Sequence, residues 1–293
     1  MKSCTASAPA RVHILARPIG GLLTPTLSYL ALGLYAASFA AYAGFLYSSN
    51  RWIGRSGTLL LCGGILVQYL ALMERSRWVH SVPYNDLFGS MSLFAWLLAV
   101  TYLALEIFHR QRTVGAFVTV LIVAWVVGVM IFAPMGPPPA PPARGPLFDL
   151  HVTLNILAYS AFALSFALSL IYLAQNRMLR ARKPSLVFWR FPPLDLLERM
   201  SRSSVWVGLA SLCAGVGMGF VWERRLSGHL ALGDPKVMVT LLILALYVAY
   251  LWMATRAAWR GPRAAMVCAC NFVLVLFSYT FVNLYFTRFH RFY

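Results

Sequence analysis

The chain has 293 residues, of which 60% are hydrophobic and only 11% charged. A soluble domain carries roughly 25% charged residues, so a water-soluble fold is excluded, and with it disorder, a coiled coil and a disulfide scaffold. The net charge of +17 sits in short segments between apolar runs, the arrangement that writes membrane topology and not a nucleic-acid surface.

Residues 1–25 form an N-terminal outer segment. Its first part, Met1 to Leu23, carries Lys2, Arg11 and Arg17 without an apolar core and cleavage site, so no signal peptide is expected. Eight apolar runs of spanning length follow, near 26–47, 57–74, 88–108, 114–134, 148–175, 204–221, 237–256 and 264–286. The second is short, and the fifth is long enough to tilt or project. Period-two alternation is missing, which excludes a β-barrel. The prediction is an all-α polytopic membrane protein: an eight-helix domain over 26–286 and a short outer tail over 287–293, in a bacterial inner membrane. The segment from Gln175 to Arg202 holds seven basic residues against Asp195 and Glu198. Placing it in the cytoplasm puts both termini on the outer, periplasmic side.

The cysteines Cys62, Cys213, Cys268 and Cys270 fall inside apolar runs and read as small packing residues, whereas Cys4 precedes them. Pro134 to Pro146 reads as a stiff polyproline-type spacer into the fifth helix. The next outer loop, Trp222 to Lys236, concentrates Arg224, Arg225, His229, Asp234 and Lys236 beside an aromatic. On this topology His13, His80, His151, His229 and His290 are outside and His109 alone is inside. Imidazole is the usual axial ligand of haem iron. His151 and His290 are level in the membrane and have the placement of two such ligands, with Arg224, Arg225 and Lys236 available to haem propionates. The same placement also suits histidines that sit at a membrane interface. Glu106 is the one charge expected within the spans, and Asn155, Asn271 and Asn283 read as interhelical hydrogen-bonding groups.

Several segments in order resemble the cytochrome c assembly superfamily, the CcsA, CcmC and HemX-like membrane proteins. They are VPYNDLFGSMSLFAW with Pro83, Leu87, Phe88, Ser90, Ala95 and Trp96; the helix from Asp149 to Arg180 with His151; FPPLDLLERM; Asp234-Pro235-Lys236; Trp259 to Ala265; and Val282-Asn283-Leu284 before His290. The resemblance covers residues 60 to 293. It implies haem b on the outer face between two histidines, by position His151 and His290, flanking a tryptophan-rich loop.

Some positions depart from the pattern. The loop signature reads Ser227-Gly228-His229-Leu230-Ala231-Leu232-Gly233-Asp234, keeping Gly228 and Asp234 but none of its three tryptophans. Gln68 and Trp252 stand where haem exporters carry membrane histidines, Gly89 where the family often has Glu, and Asp86 where it often has Asn. The expected function is therefore a cytochrome c biogenesis factor that binds or presents haem externally, weakly held, and not an enzyme in its own right. The implied partners are haem, apocytochrome c, the lipid bilayer and a membrane protein of a cytochrome c assembly or respiratory complex. The alternative is a HemX-like regulator, or a scaffold subunit of a membrane complex, that has lost haem binding.

Overall fold

The computed structural model describes residues 20–48, 50–79, 82, 84, 86–133, 145–181, 192–228 and 233–285. Among them the chain forms eight α-helices and no strand. These are α1 (Gly20–Ser48), α2 (Arg51–Val79), α3 (Leu87–His109), α4 (Gly115–Phe132), α5 (Pro146–Arg180), α6 (Leu194–Ser227), α7 (Pro235–Ala254) and α8 (Pro262–Tyr285). Seven are long and apolar enough to cross a membrane, and α8 contributes a further apolar stretch over Pro262–Phe277. The protein is an all-α polytopic membrane protein.

Helices α2, α5 and α6 overrun at both ends the apolar stretches that announce them. The second, expected to be short, has 29 residues because Arg51 and Arg55 open it and Glu74 to Arg77 close it. The sixth begins ten residues before its apolar run, with Asp195 and Arg199 paired at 2.9 Å along its first turns. Backbone hydrogen bonding continues through such polar turns, whereas hydropathy registers only the lipid-matched part.

Helices α1 to α4 pack as one group and α5 to α8 as another, with α3 lying against both α5 and α6. The tightest pairs are α1 with α2 and α5 with α6. Lipid removes the hydrophobic drive between helices, so close van der Waals fit must hold them, and small residues opposite rings provide it. A Cβ on Gly64 would meet the Tyr35 ring at 2.6 Å, one on Gly115 the Tyr42 ring at 2.6 Å, and one on Gly208 the Phe162 ring at 2.5 Å. Phe162 in turn stacks on Tyr247 with centroids 3.7 Å apart. Leu59, Phe108, Ile131, Phe132, Leu242 and Phe277 are exposed, as a surface solvated by acyl chains permits.

Buried polar groups tie the helices together. Glu106 is buried, and its carboxylate accepts from Tyr42 at 2.6 Å, Thr58 at 2.6 Å and Tyr102 at 2.8 Å, with Arg112 Nε at 3.5 Å. It is not the only buried charge of the bundle. Arg75 lies inside α2, 1% exposed, paired with Asp86 and set over the Phe88 ring at 4.8 Å. The second apolar run, 57–74, stops one residue short of this arginine. Asp86 also caps α3, accepting the Gly89 N–H at 3.2 Å. A carboxylate at position 86 therefore has a charge to neutralise that an asparagine could not. Cys268 is buried and within hydrogen-bond distance of Ser165 Oγ at 2.9 Å, and Asn271 donates to the Leu246 carbonyl of α7 at 3.2 Å.

Candidate functional site

His151 lies in the second turn of α5, about 7 Å along from its first residue. The helix is prepared for that start: Gly145 adopts φ +80 ahead of it, and Pro146, whose missing N–H costs nothing there, is its first residue. The imidazole leans on α6. Its Nδ1 is 2.7 Å from the carbonyl oxygen of Gly215, an atom that can only accept. Nδ1 therefore carries the proton and donates, and the lone pair resides on Nε2. This is how metal-binding histidines are oriented: a fixed hydrogen bond on one nitrogen presents the other.

Two glycines make the approach possible. A Cβ on Gly219 would meet Cε1 and Nδ1 of His151 at 2.6 Å, and one on Gly215 would meet the Asn155 amide oxygen at 3.1 Å. Asn155, one turn along α5, donates to the His151 carbonyl at 2.8 Å, and its amide nitrogen lies 3.3 and 3.4 Å from the two ring nitrogens. Asn155 thus braces the histidine within α5 and is not the interhelical tie expected of it. Neither glycine was singled out in the sequence. Their spacing of four along α6, one helical turn, was the signal that could have found them.

Aromatic rings close the site on the side of the helix ends. Phe148, one turn before His151 and buried, has its ring centroid 6.1 Å from the imidazole and 4.7 Å from the Trp222 indole. Tyr84, from the segment before α3, lies 5.8 Å from Phe148 and donates its hydroxyl proton to Asp149.

The basic residues sit above this layer, but not in an open loop. Trp222 to Ser227 are the last turns of α6, so Arg224 and Arg225 project from a helix end, both exposed. Their charge complements the negative end of the helix dipole there. Gly228 ends the helix at φ 74, its N–H bonded to the Arg224 carbonyl at 3.1 Å. Asp234 is the N-cap of α7 and accepts the Lys236 N–H at 2.8 Å. The two residues kept from the tryptophan-rich signature are thus the stops on either side of a short connection between α6 and α7. Lys236 is half-buried in the first turn of α7.

His151, Arg224, Arg225, Gly228, Asp234 and Lys236 all belong to α5, α6 and α7 or their caps. His290, His13, His80, His229 and the side chain of Asn283 lie outside the described residues. His109, near the far end of α3, bonds Ser203 Oγ at 3.1 Å. Gln68 is buried and satisfied: it donates to the Ser92 carbonyl at 3.1 Å and accepts from Tyr35 at 2.6 Å. Trp252 faces outward, 61% exposed, under the Arg256 guanidinium at 4.5 Å. Among the described residues no cluster of three or more His, Cys, Asp or Glu could hold a bare metal ion.

Comparison with known proteins points to one family. Residues 84–290 match the family described as Cytochrome C assembly protein. The protein HemX of Brevibacillus brevis is 30% identical over 253 residues, covering 85% of this chain and 92% of its own. The HemX protein of Bacillus subtilis is 26% identical over 252 residues, covering 84% and 90%. The cytochrome c biogenesis protein CcsA of Guillardia theta is 25% identical over 254 residues, covering 79% and 82%.

Proposed function

Because the chain belongs to the cytochrome c assembly family, we propose that it binds haem b at the end of the bundle where α5 begins and α6 ends, and that this end faces outward. The observation that carries the reading is the His151 imidazole, its Nδ1 committed to the Gly215 carbonyl and its Nε2 left as the ligand atom. Of the two expected donors, His151 fits the group. A neutral imidazole offers a lone pair to iron, and Gly219 leaves the space in which its ring lies.

In this reading His151 and His290 would hold the iron. Arg224, Arg225 and Lys236 pair with the propionates, while Gly228 and Asp234 fix the ends of the connection above them. Iron with two imidazoles is suited to being held and presented; the thioether chemistry of cytochrome c maturation belongs to the haem and its apocytochrome partner. The chain's own part is to orient the haem and to expose its edge. A partner membrane protein, of a cytochrome c assembly or respiratory complex, and an apocytochrome are the ligands this role requires, and a bacterial inner membrane is the setting.

The test is an absorption spectrum of the full-length protein purified in detergent, oxidised and then reduced. A Soret band with low-spin reduced bands is expected. His151→Ala and His290→Ala should each convert it to a high-spin form or abolish it, while His229→Ala leaves coordination intact. A colourless protein that also fails to take up added hemin would overturn the reading.

One observation favours a second reading, a HemX-like regulator or scaffold without haem. Gln68 is sealed into a hydrogen-bonded node and Trp252 faces outward, so neither stands as a ligand for a second haem inside the membrane.

A further inference from the structure

We propose that the opening turns of α2 hold an anionic phospholipid, its phosphate on Arg51 and Arg55 and its acyl chains along the outer face of the helix. This surface is at the end of the bundle away from His151, so the proposal stands apart from the haem reading. The two faces of α2 are sharply divided. Gly57, Leu61, Gly64 and Gln68 are buried, with the two glycines against the Tyr42 and Tyr35 rings of α1. On the opposite side Trp52, Leu59 and Leu66 recur every seventh residue and are 62%, 71% and 60% exposed, with Arg55 between the first two.

Two guanidiniums are held on one indole. Cζ of Arg51 and of Arg55 lie 5.7 and 5.0 Å from the Trp52 ring centroid, and both side chains are exposed. Nothing in the chain offsets these two like charges. The first turn of α2 contains no acidic residue, and the helix dipole opposes cations there. All eight Asp and Glu of the chain are among the described residues, and none is within ion-pair distance of Arg51 or Arg55. Arg112, packed beside Gly54, is committed to Glu106 and Thr58. What the pair lacks is an anion from outside the chain. Leu59 follows Trp52 by about 10 Å along the helix axis, open to acyl chains. An indole at headgroup level with leucines below it matches an anion that carries its own hydrocarbon. Free phosphate would use the cations and leave the leucine stripe idle.

The full-length protein in detergent is titrated with dioleoyl phosphatidylglycerol and dioleoyl phosphatidylcholine, and retained lipid is followed by native mass spectrometry. One phosphatidylglycerol should bind about tenfold more tightly than phosphatidylcholine, and excess inorganic phosphate should not displace it. Arg51→Gln with Arg55→Gln should weaken that binding about thirtyfold, the effect of two cations at a lipid surface. Arg51→Lys with Arg55→Lys keeps the charge that sets topology but loses the planar fork, and should still weaken binding about fivefold. Trp52→Leu should cost about fivefold and Trp52→Tyr restore most of it. These side chains are exposed, so thermal unfolding should not move. Arg256→Gln, on Trp252 at the same end of the bundle, should leave this lipid in place. Equal binding of the two lipids, displacement by phosphate, or unchanged affinity in the double-glutamine, double-lysine or Trp52→Leu protein overturns the proposal.

Discussion

Replacing Gly219 with alanine would set a Cβ 2.6 Å from two atoms of the His151 ring, closer than side chains pack. The ring must then swing off the Gly215 carbonyl and surrender the bond that fixes its tautomer. Gly219→Ala is expected to lower stability by about 1–3 kcal/mol, as overpacking does, and to broaden or remove the Soret band of added hemin; Gly217→Ala, where a Cβ meets nothing, should change neither. At the other end of the bundle, Glu106→Gln would replace an anion held by three hydroxyls and a guanidinium with a neutral amide. Each charge-assisted bond contributes about 1.5–3 kcal/mol, so thermal unfolding in detergent should shift clearly downward. The sequence pointed to His151 through its place near a helix start, and the structure puts it on a packed helix pair. It did not point to Gly215, Gly219 or Phe148, and it read Asn155 as an interhelical tie, because each acts through a neighbour on another turn or another helix. A histidine announces its chemistry by type; a glycine shows its role only once the opposite ring is in place.

Capping governs the element scale. Asp234→Ala removes the side chain that receives the Lys236 N–H at the start of α7, at a cost of about 1 kcal/mol. Gly228→Ala places a Cβ in the left-handed region, which costs roughly 1–2 kcal/mol. Thermal unfolding of the two variants, followed by circular dichroism, should show both losses, with the double variant near their sum. The eight helices were legible because some twenty apolar residues leave few alternatives in a bilayer. Their ends were not. Arg75 and the turns around Asp195 and Arg225 are polar, and only the continued backbone ladder shows them to be helix.

For the whole molecule, the buried Arg75–Asp86 pair joins α2 to the start of α3. Breaking a buried pair by removing one partner typically costs about 3–5 kcal/mol. Arg75→Met should therefore be poorly folded, and adding Asp86→Asn should recover part of the loss, measured as the yield of monodisperse protein. The expected orientation is tested by impermeant thiol labelling of Asp195→Cys and Arg225→Cys, both at exposed positions. Arg225→Cys should react from outside and Asp195→Cys only after permeabilisation; the reverse pattern would place His151 on the cytoplasmic side. The expected orientation rests on positive charge in the segment around Arg177 and Arg199, whereas the division into two four-helix groups depended on ring-to-glycine contacts that no linear pattern records.

Helix α6 runs unbroken for 34 residues, about 51 Å, through a hydrocarbon layer of about 30 Å. It carries Asp195 and Arg199 at one end and Arg224 and Arg225 at the other, with the Gly215 and Gly219 contacts to His151 between them. Such a rod is longer than the hydrocarbon layer it would cross. Because the rod is continuous, any tilt imposed at its far end would displace the Gly215 carbonyl and, with it, the imidazole bonded to that carbonyl.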